Sequence, residues 1–318
     1  MEKLAVKKRK HKISRITLKE QRAAYVFLIP AFLGLSLITY LPLLAVFGIS
    51  LFDFKMGHFV ANSTIAPAKF VGFQNFIDIF TNPRLAFFES IKVTVYYALV
   101  AVIGSVIYSM IIAMLLNRKM PGRGFLRAIF YVPYILPTAA IFVGWIFLYR
   151  YDGGLFNHIL VSAGLSKSYF LDSAKSVVPS LALMAVWASG NLVVIFLAGL
   201  QNVPRVYQEA AEIDGANAWQ RFWKVTIPNM TPIIFYNVLM SLVMNLQVVV
   251  PALAYTKGGP GNSSMFLTFL MYRTAFTDND YSRASAMAFM FFIVAAILAF
   301  ILFATSKNWI FYEGGDDK

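Results

Sequence analysis

Charged residues are missing from six long blocks of the chain, 23–52, 93–117, 128–149, 176–204, 225–256 and 284–306, and no other charge-free run exceeds 15 residues. A helix needs about 20 apolar residues to cross the hydrocarbon core of a bilayer, each residue advancing it by about 1.5 Å. The pattern predicts an all-α integral membrane protein with six spans, at about 24–51, 93–116, 128–149, 177–200, 232–255 and 284–306. An even number of spans leaves both termini on one side. The first block is too long for the apolar core of a secretory signal and lacks a small-residue cleavage site, so it should stay attached. Pro30 and Pro42, Pro133 and Pro137, and Pro251 fall in the first, third and fifth blocks. Each removes a helical hydrogen bond and predicts a kink, useful where helices bend around a cavity, although membrane helices also tolerate proline without such a use.

Lysine and arginine mark the cytoplasmic side of a membrane protein. Lys3, Lys7, Lys8, Arg9, Lys10, Lys12, Arg15, Lys19 and Arg22 precede the first block. Arg118, Lys119, Arg123 and Arg127 occupy the second loop, Arg205, Arg221 and Lys224 the fourth, and Lys307 and Lys318 the C-terminal tail. The other ten cations lie on the opposite loops, nearly neutralised by seven acidic residues. Both termini are therefore predicted to be cytoplasmic, with 1–22 a basic tail, 23–306 the transmembrane domain and 307–318 a second tail. The outer stretch 53–92 is too short for a domain and reads as a small cap.

A composition of 59% hydrophobic and 14% charged residues, with a mean hydropathy of +0.66, agrees with a chain whose solvent is lipid. A net charge of +13 would suggest nucleic acid in a soluble protein. Here the excess sits beside the first span, so membrane lipid is the predicted partner and nucleic acid is not. The chain has no cysteine, which excludes disulfides, thiolate metal sites and cysteine catalysis. His11, His58 and His158 lie in the tail and outer loops, so no catalytic or metal-binding cluster is predicted. No charge lies deep in a block, which argues against the buried proton relay of a secondary carrier. No Gly-x-x-x-x-Gly-Lys-Ser/Thr loop is present, so any ATP chemistry belongs to another polypeptide.

The loop 201–228 is the most informative segment. Pro204 suits a helix start, Glu209, Ala210, Ala211 and Glu212 continue the helix, and Gly215 stops it. Trp219, Phe222 and Trp223, interleaved with Arg221 and Lys224, then read as an interfacial segment before re-entry at Val225. The prediction is helix, sharp turn, helix, with Ala210 and Ala211 offering a close approach to a partner.

Glu209, Ala210 and Ala211, with Gly215 four residues on and Val225, Thr226, Ile227 and Pro228 behind, resemble the EAA loop of binding-protein-dependent ABC importer permeases. The resemblance runs from Phe27, Leu28, Ile29 and Pro30 through Leu155, Phe156 and Asn157 to the last span. Segments 211–216 and 256–260 resemble the carbohydrate-uptake, maltose/oligosaccharide-type branch. It implies a type I ABC importer permease fold in a bacterial or archaeal cytoplasmic membrane. The implied function is import of a sugar or oligosaccharide, with a non-sugar solute as the alternative and a stand-alone carrier further off. Implied partners are a homologous second permease in a heterodimer, two ATPase subunits and an extracytoplasmic substrate-binding protein. No cofactor is implied on this chain; ATP and Mg belong to the ATPase. Glu209, Ala210, Ala211, Asp214, Gly215 and Pro228 are implied as the ATPase-coupling residues.

A hydroxyl-rich solute exchanges its water hydrogen bonds for protein ones and stacks on aromatic rings. Intramembrane amides and aromatics concentrate in two blocks, as Trp187, Ser189 and Asn191 and as Asn237, Ser241, Asn245 and Gln247. Ser241 and Asn245 share a helical face, as do Trp187 and Asn191. Maltose-type permeases line their site from these two spans, so Asn245, Ser241, Asn191, Trp187 and Gln247 are the substrate-binding candidates. Such residues also serve as hydrogen-bonding glue between helices, and the second permease could make the main contacts.

Overall fold

The computed structural model describes residues 15–54 and 68–311. Most of the basic tail, the middle of the outer cap and the acidic end of the C-terminal tail lie outside the described residues. The chain opens with α1 (Arg15–Leu35) and α2 (Leu41–Ser50), joined by the π-helical turn Ser36–Tyr40. That turn loosens the helix just ahead of Pro42, which has no N–H to donate. A two-residue ladder follows, β1 (Phe52–Asp53) antiparallel to β2 (Lys69–Phe70), with Phe52 opposite Phe70. Asn75, on α3 (Gln74–Thr81), donates to the carbonyls of Ser50 (2.8 Å) and Phe52 (3.0 Å), tying this cap to the end of the first span.

α4 (Phe87–Asn117) is the central post. Ala98, Ala101, Ser105, Ser109 and Ala113 are buried along it, and small side chains let neighbouring helices approach closely. An added Cβ on Gly104 would stand 2.7 Å from Val186 Cγ2. Around this post run α5 (Arg123–Ile135), α6 (Thr138–Tyr149), α7 (Leu155–Ser162), α8 (Val177–Trp187) and α9 (Gly190–Asn202). They are followed by α10 (Arg205–Ile213), α11 (Ala218–Arg221), α12 (Ile227–Leu246), α13 (Leu267–Phe276) and α14 (Tyr281–Ser306). One apolar core forms around Tyr97, Ala101, Phe142, Leu181 and Phe266, and a second around Met110, Ala113, Phe196 and Met230. The α4 residues between the two, Ser105 and Ser109, are polar and buried.

Among the described residues, four helices are long and apolar enough to cross a membrane: Glu20–Ser50, Pro83–Asn117, Ala218–Leu246 and Tyr281–Ser306. Counting each of two bent pairs as one span raises the number to six. The expected span at 128–149 turns through 101° between α5 and α6. Pro137 cannot donate to the helical carbonyl behind it and holds Leu136 extended, at φ −69° and ψ 145°. The expected span at 177–200 bends by 48° between α8 and α9, without a proline. There Ser189 Oγ donates to the Val186 carbonyl (2.7 Å) and meets Ser109 Oγ at 2.9 Å. The expected span at 232–255 falls on two helical pieces: the long helix runs from Ala218 to Leu246, residues 247–249 are non-helical, and helical geometry resumes at 250–256. Pro251 offers no N–H to the Gln247 carbonyl four residues back, and the Val248 carbonyl accepts from the Thr268 hydroxyl. Two stretches expected to be loops, 150–175 and 257–283, contain α7 and α13.

Candidate functional site

Where a helix breaks at membrane depth its freed backbone groups need protein or water around them, so breaks cluster at cavities. Leu136, Ser189 and Gln247, one from each break, line a single cavity of about 300 Å³. This is the lower end of the range of about 300–1,000 Å³ typical of small-molecule sites. Asn191 enters from the first turn of α9, Ser241 and Asn245 from the last turns of α12, and Gln247 from its C-terminal cap. Tyr97 and Ser105 on α4, Tyr134 at the end of α5 and Thr138 at the start of α6 complete the polar wall. The lining contains no Asp, Glu, Lys, Arg or His.

Asn245 Nδ2 donates to the Ser241 carbonyl (2.8 Å) and to Ser241 Oγ (3.2 Å), so the amide is held by the preceding turn of its own helix. Its Oδ1 is left as an acceptor at the cavity wall. An uncharged wall of amides, hydroxyls and two tyrosines can exchange hydrogen bonds with a neutral polar solute, and it would leave a buried charge uncompensated.

The second element is the loop between α9 and α12. α10 ends at Gly215, whose φ of +78° is the left-handed geometry that glycine adopts without a steric penalty. The Ala216 N–H reaches back to the Ala211 carbonyl (2.9 Å) and the Gly215 N–H to the Glu212 carbonyl (3.0 Å). This is a Schellman closure, and it accounts for the four-residue step from Ala211 to Gly215. Asn217 and Gln220 then form a reciprocal capping box that starts α11. Arg221 pairs with Glu212 at 2.9 Å and Gln208 Nε2 donates to Thr226 Oγ1 at 3.0 Å, so α10 is clamped onto the base of α12. A π-helical turn, Phe222–Thr226, precedes Pro228, as the earlier one precedes Pro42. Glu209, Ala210, Asp214 and Gly215 are exposed and Ala211 is half-buried. Val206, Ile213 and Trp219 also face outward, Ile213 with 86% of its surface free. Among the described residues Glu209 and Asp214 have no ion-pair partner.

The two elements share their helices. Ala218–Leu246 is a 29-residue run from the loop to the cavity, about 44 Å long at 1.5 Å per residue. α9 starts at the cavity and ends where the loop begins.

The family model described as "Binding-protein-dependent transport system inner membrane component" matches residues 105–311, which include the cavity's α8, α9 and α12 and the whole loop. The chain belongs to this family. It is 33% identical over 310 residues to the probable ABC transporter permease protein YesP of Bacillus subtilis, covering 96% of this chain and 97% of that relative. It is 30% identical over 291 residues to the trehalose/maltose transport system permease protein MalF of Thermococcus litoralis, covering 91% and 94%. Its fold is similar to a chain of a bacterial alginate ABC transporter solved with its alginate-loaded periplasmic protein, at a TM-score of 0.73 and 20% identity over 93% of this chain and 98% of that one.

Within this permease, Asn191, Ser241, Asn245 and Gln247 line one cavity. Trp187 does not join them. The 48° bend falls between it and Asn191 and separates their faces. Trp187 lines an apolar recess with Leu136, Gly144, Leu148 and Phe156, its ring edge-on to Trp145 at 5.6 Å. Asn237 is fully buried, donating to the Leu192 carbonyl at 3.4 Å, and acts as glue between α9 and α12. Tyr97, Ser105, Tyr134 and Thr138 were not anticipated. The signal for Tyr134 and Thr138 was their position beside Pro133 and Pro137, and for Ser105 the buried small-residue stripe of α4.

Proposed function

We propose that this permease carries an uncharged sugar or oligosaccharide through the Asn245 cavity as the translocation subunit of an ATP-driven importer. The observation behind this reading is the lining, which has amides and hydroxyls on three broken helices, two tyrosines and no ionised side chain. The trehalose/maltose relative supports a carbohydrate cargo. In this reading each bent pair is one span, giving six, and both termini face the cytoplasm of a bacterial or archaeal cell. A homologous second permease completes the pathway, and an extracytoplasmic binding protein delivers the solute. Two ATPase subunits, holding ATP and Mg, receive Glu209, Ala210, Ala211, Asp214 and Gly215, with Pro228 at the foot of the lever. ATP binding draws the loops of the two permeases together, and α9 and α12 carry that movement to the cavity, whose helix breaks serve as hinges.

The test is uptake in vesicles reconstituted with the second permease, the ATPase and the binding protein. Losing one hydrogen-bonding amide is worth about 1 kcal/mol, so Asn245→Leu should raise the half-saturating concentration of loaded binding protein or lower the uptake rate by about fivefold. Basal ATPase activity should be unchanged. Unaltered uptake by Asn245→Leu, or stimulation by charged solutes alone, would sink the reading.

A further inference from the structure

A second cavity, of about 220 Å³, lies between α5 and α9 and is separate from the solute path. Its polar lining residues are Arg127, Tyr131 and Gln201, and its apolar wall is Leu116, Val193, Val194, Leu197 and Ala198, with Gly190 against the Tyr131 backbone. At Gly190 the two backbones touch, since an added Cβ would meet the Phe130 carbonyl at 2.3 Å. Toward Arg127 the space between the helices is open, and Val194, Ala198 and Gln201 are exposed along it. Gly190 to Gln201 spans eleven residues, about 16 Å of helix, the depth of one leaflet's hydrocarbon.

Arg127 Nε and Nη2 are buried and have no hydrogen-bond partner among the described residues. A guanidinium in that state lacks a counter-anion, because a buried charge is stable only when paired. The sequence around it supplies none. No Asp or Glu occurs between Glu89 and Asp152, while Arg118, Lys119 and Arg123 precede Arg127 in the same loop and first turn. None of these four cations forms an ion pair among the described residues.

We propose that this cleft is a binding site for an anionic phospholipid, whose phosphate engages Arg127 and whose acyl chain lies along Val194 and Ala198 toward Gly190. Arg127 presents a planar fork suited to two phosphate oxygens, and Tyr131 and Gln201 are the other polar side chains lining the cleft. Arg118, Lys119 and Arg123 add attraction at the headgroup level. A free phosphate ion would satisfy Arg127 and leave the apolar wall uncovered, so the groove selects the lipid.

The experiment measures lipid retained by the assembled complex, permeases with ATPase, after transfer from phosphatidylglycerol or phosphatidylcholine nanodiscs and gentle delipidation, read by native mass spectrometry. Wild type is expected to keep phosphatidylglycerol in preference to phosphatidylcholine. Arg127→Gln should lower that retention about tenfold by removing the charge-assisted pair. Ala198→Phe, which fills the groove and leaves the charge, should lower it similarly, and it decides the matter if Arg127→Gln fails to assemble. Excess inorganic phosphate should leave the lipid in place. Equal retention of both lipids, full retention by Ala198→Phe, or displacement by phosphate alone would each overturn the proposal. Because the chain has no cysteine, Ala198→Cys supplies a single thiol. A cross-link from it to the second permease would overturn the proposal by placing protein in the groove.

Discussion

Replacing Gly190 by alanine adds one methyl group where the backbones of α5 and α9 meet. Its Cβ would lie 2.3 Å from the Phe130 carbonyl oxygen and 3.0 Å from Tyr131 Cα. Ordinary contact needs more than 3 Å, so the helices must part by about 1 Å, and no rotamer change relieves a backbone contact. Overpacking of this kind costs about 1–3 kcal/mol, offset by up to about 1 kcal/mol of helix propensity. The net loss lies between about 0 and 3 kcal/mol. Gly144, inside α6, has nothing within 4 Å of the same added methyl, so Gly144→Ala should gain about 0.5–1 kcal/mol. Gly199 is intermediate, because its added methyl meets the movable ends of Ile233 and Met230. Unfolding free energies in mixed detergent micelles should therefore rank Gly144→Ala above Gly199→Ala above Gly190→Ala. Since Gly190 follows Ser189 at the cavity bend, Gly190→Ala should also slow uptake. A Gly190→Ala protein as stable as Gly144→Ala would refute the reasoning, because the contact with the Phe130 carbonyl would then cost nothing.

Three further outcomes are expected. Trp187→Leu should leave the half-saturating solute concentration within about twofold of wild type in vesicle uptake, because its ring lies outside the cavity. Glu209→Lys should abolish copurification of the ATPase, whereas Arg221→Ala, which breaks one pair exposed at its Glu212 end and worth about 1 kcal/mol, should weaken it only slightly. Asn237→Leu replaces an amide whose buried Oδ1 has no partner. It should be neutral or stabilising by up to about 1 kcal/mol in chemical unfolding, and a loss above about 2 kcal/mol would show that its long bond to Leu192 matters more than the geometry implies.

The loop 201–228 was legible because its structure is local. The Schellman closure at Gly215 and the clamp of Glu212 on Arg221 both lie within a few residues of the pattern that announces them. The apolar blocks were legible for the same reason, since charge exclusion acts on each residue separately. Break angles were not. Pro137 announces a lost hydrogen bond, but a turn of 101° depends on which groups receive the freed carbonyls. The bend at Ser189 has no local sign, because it is held by Ser109, 80 residues earlier. That contact removed Trp187 from the cavity while leaving Asn191 there. The break at 247–249 in the fifth block was not legible either, because the residues after Leu246 are as charge-free as those before it and the Thr268 hydroxyl that takes the Val248 carbonyl is 20 residues away.

The unbroken helix from Ala218 to Leu246 places a constraint on length. Each residue inserted or deleted between Pro228 and Asn245 would rotate everything beyond it by about 100° and slide it by about 1.5 Å. One added residue would therefore turn Asn245 and Ser241 away from the cavity while the loop kept its own geometry, so in the proposed mechanism loop and cavity would move out of phase. Only changes near a whole number of turns preserve both ends, which makes this segment intolerant of insertion even where its individual side chains are replaceable.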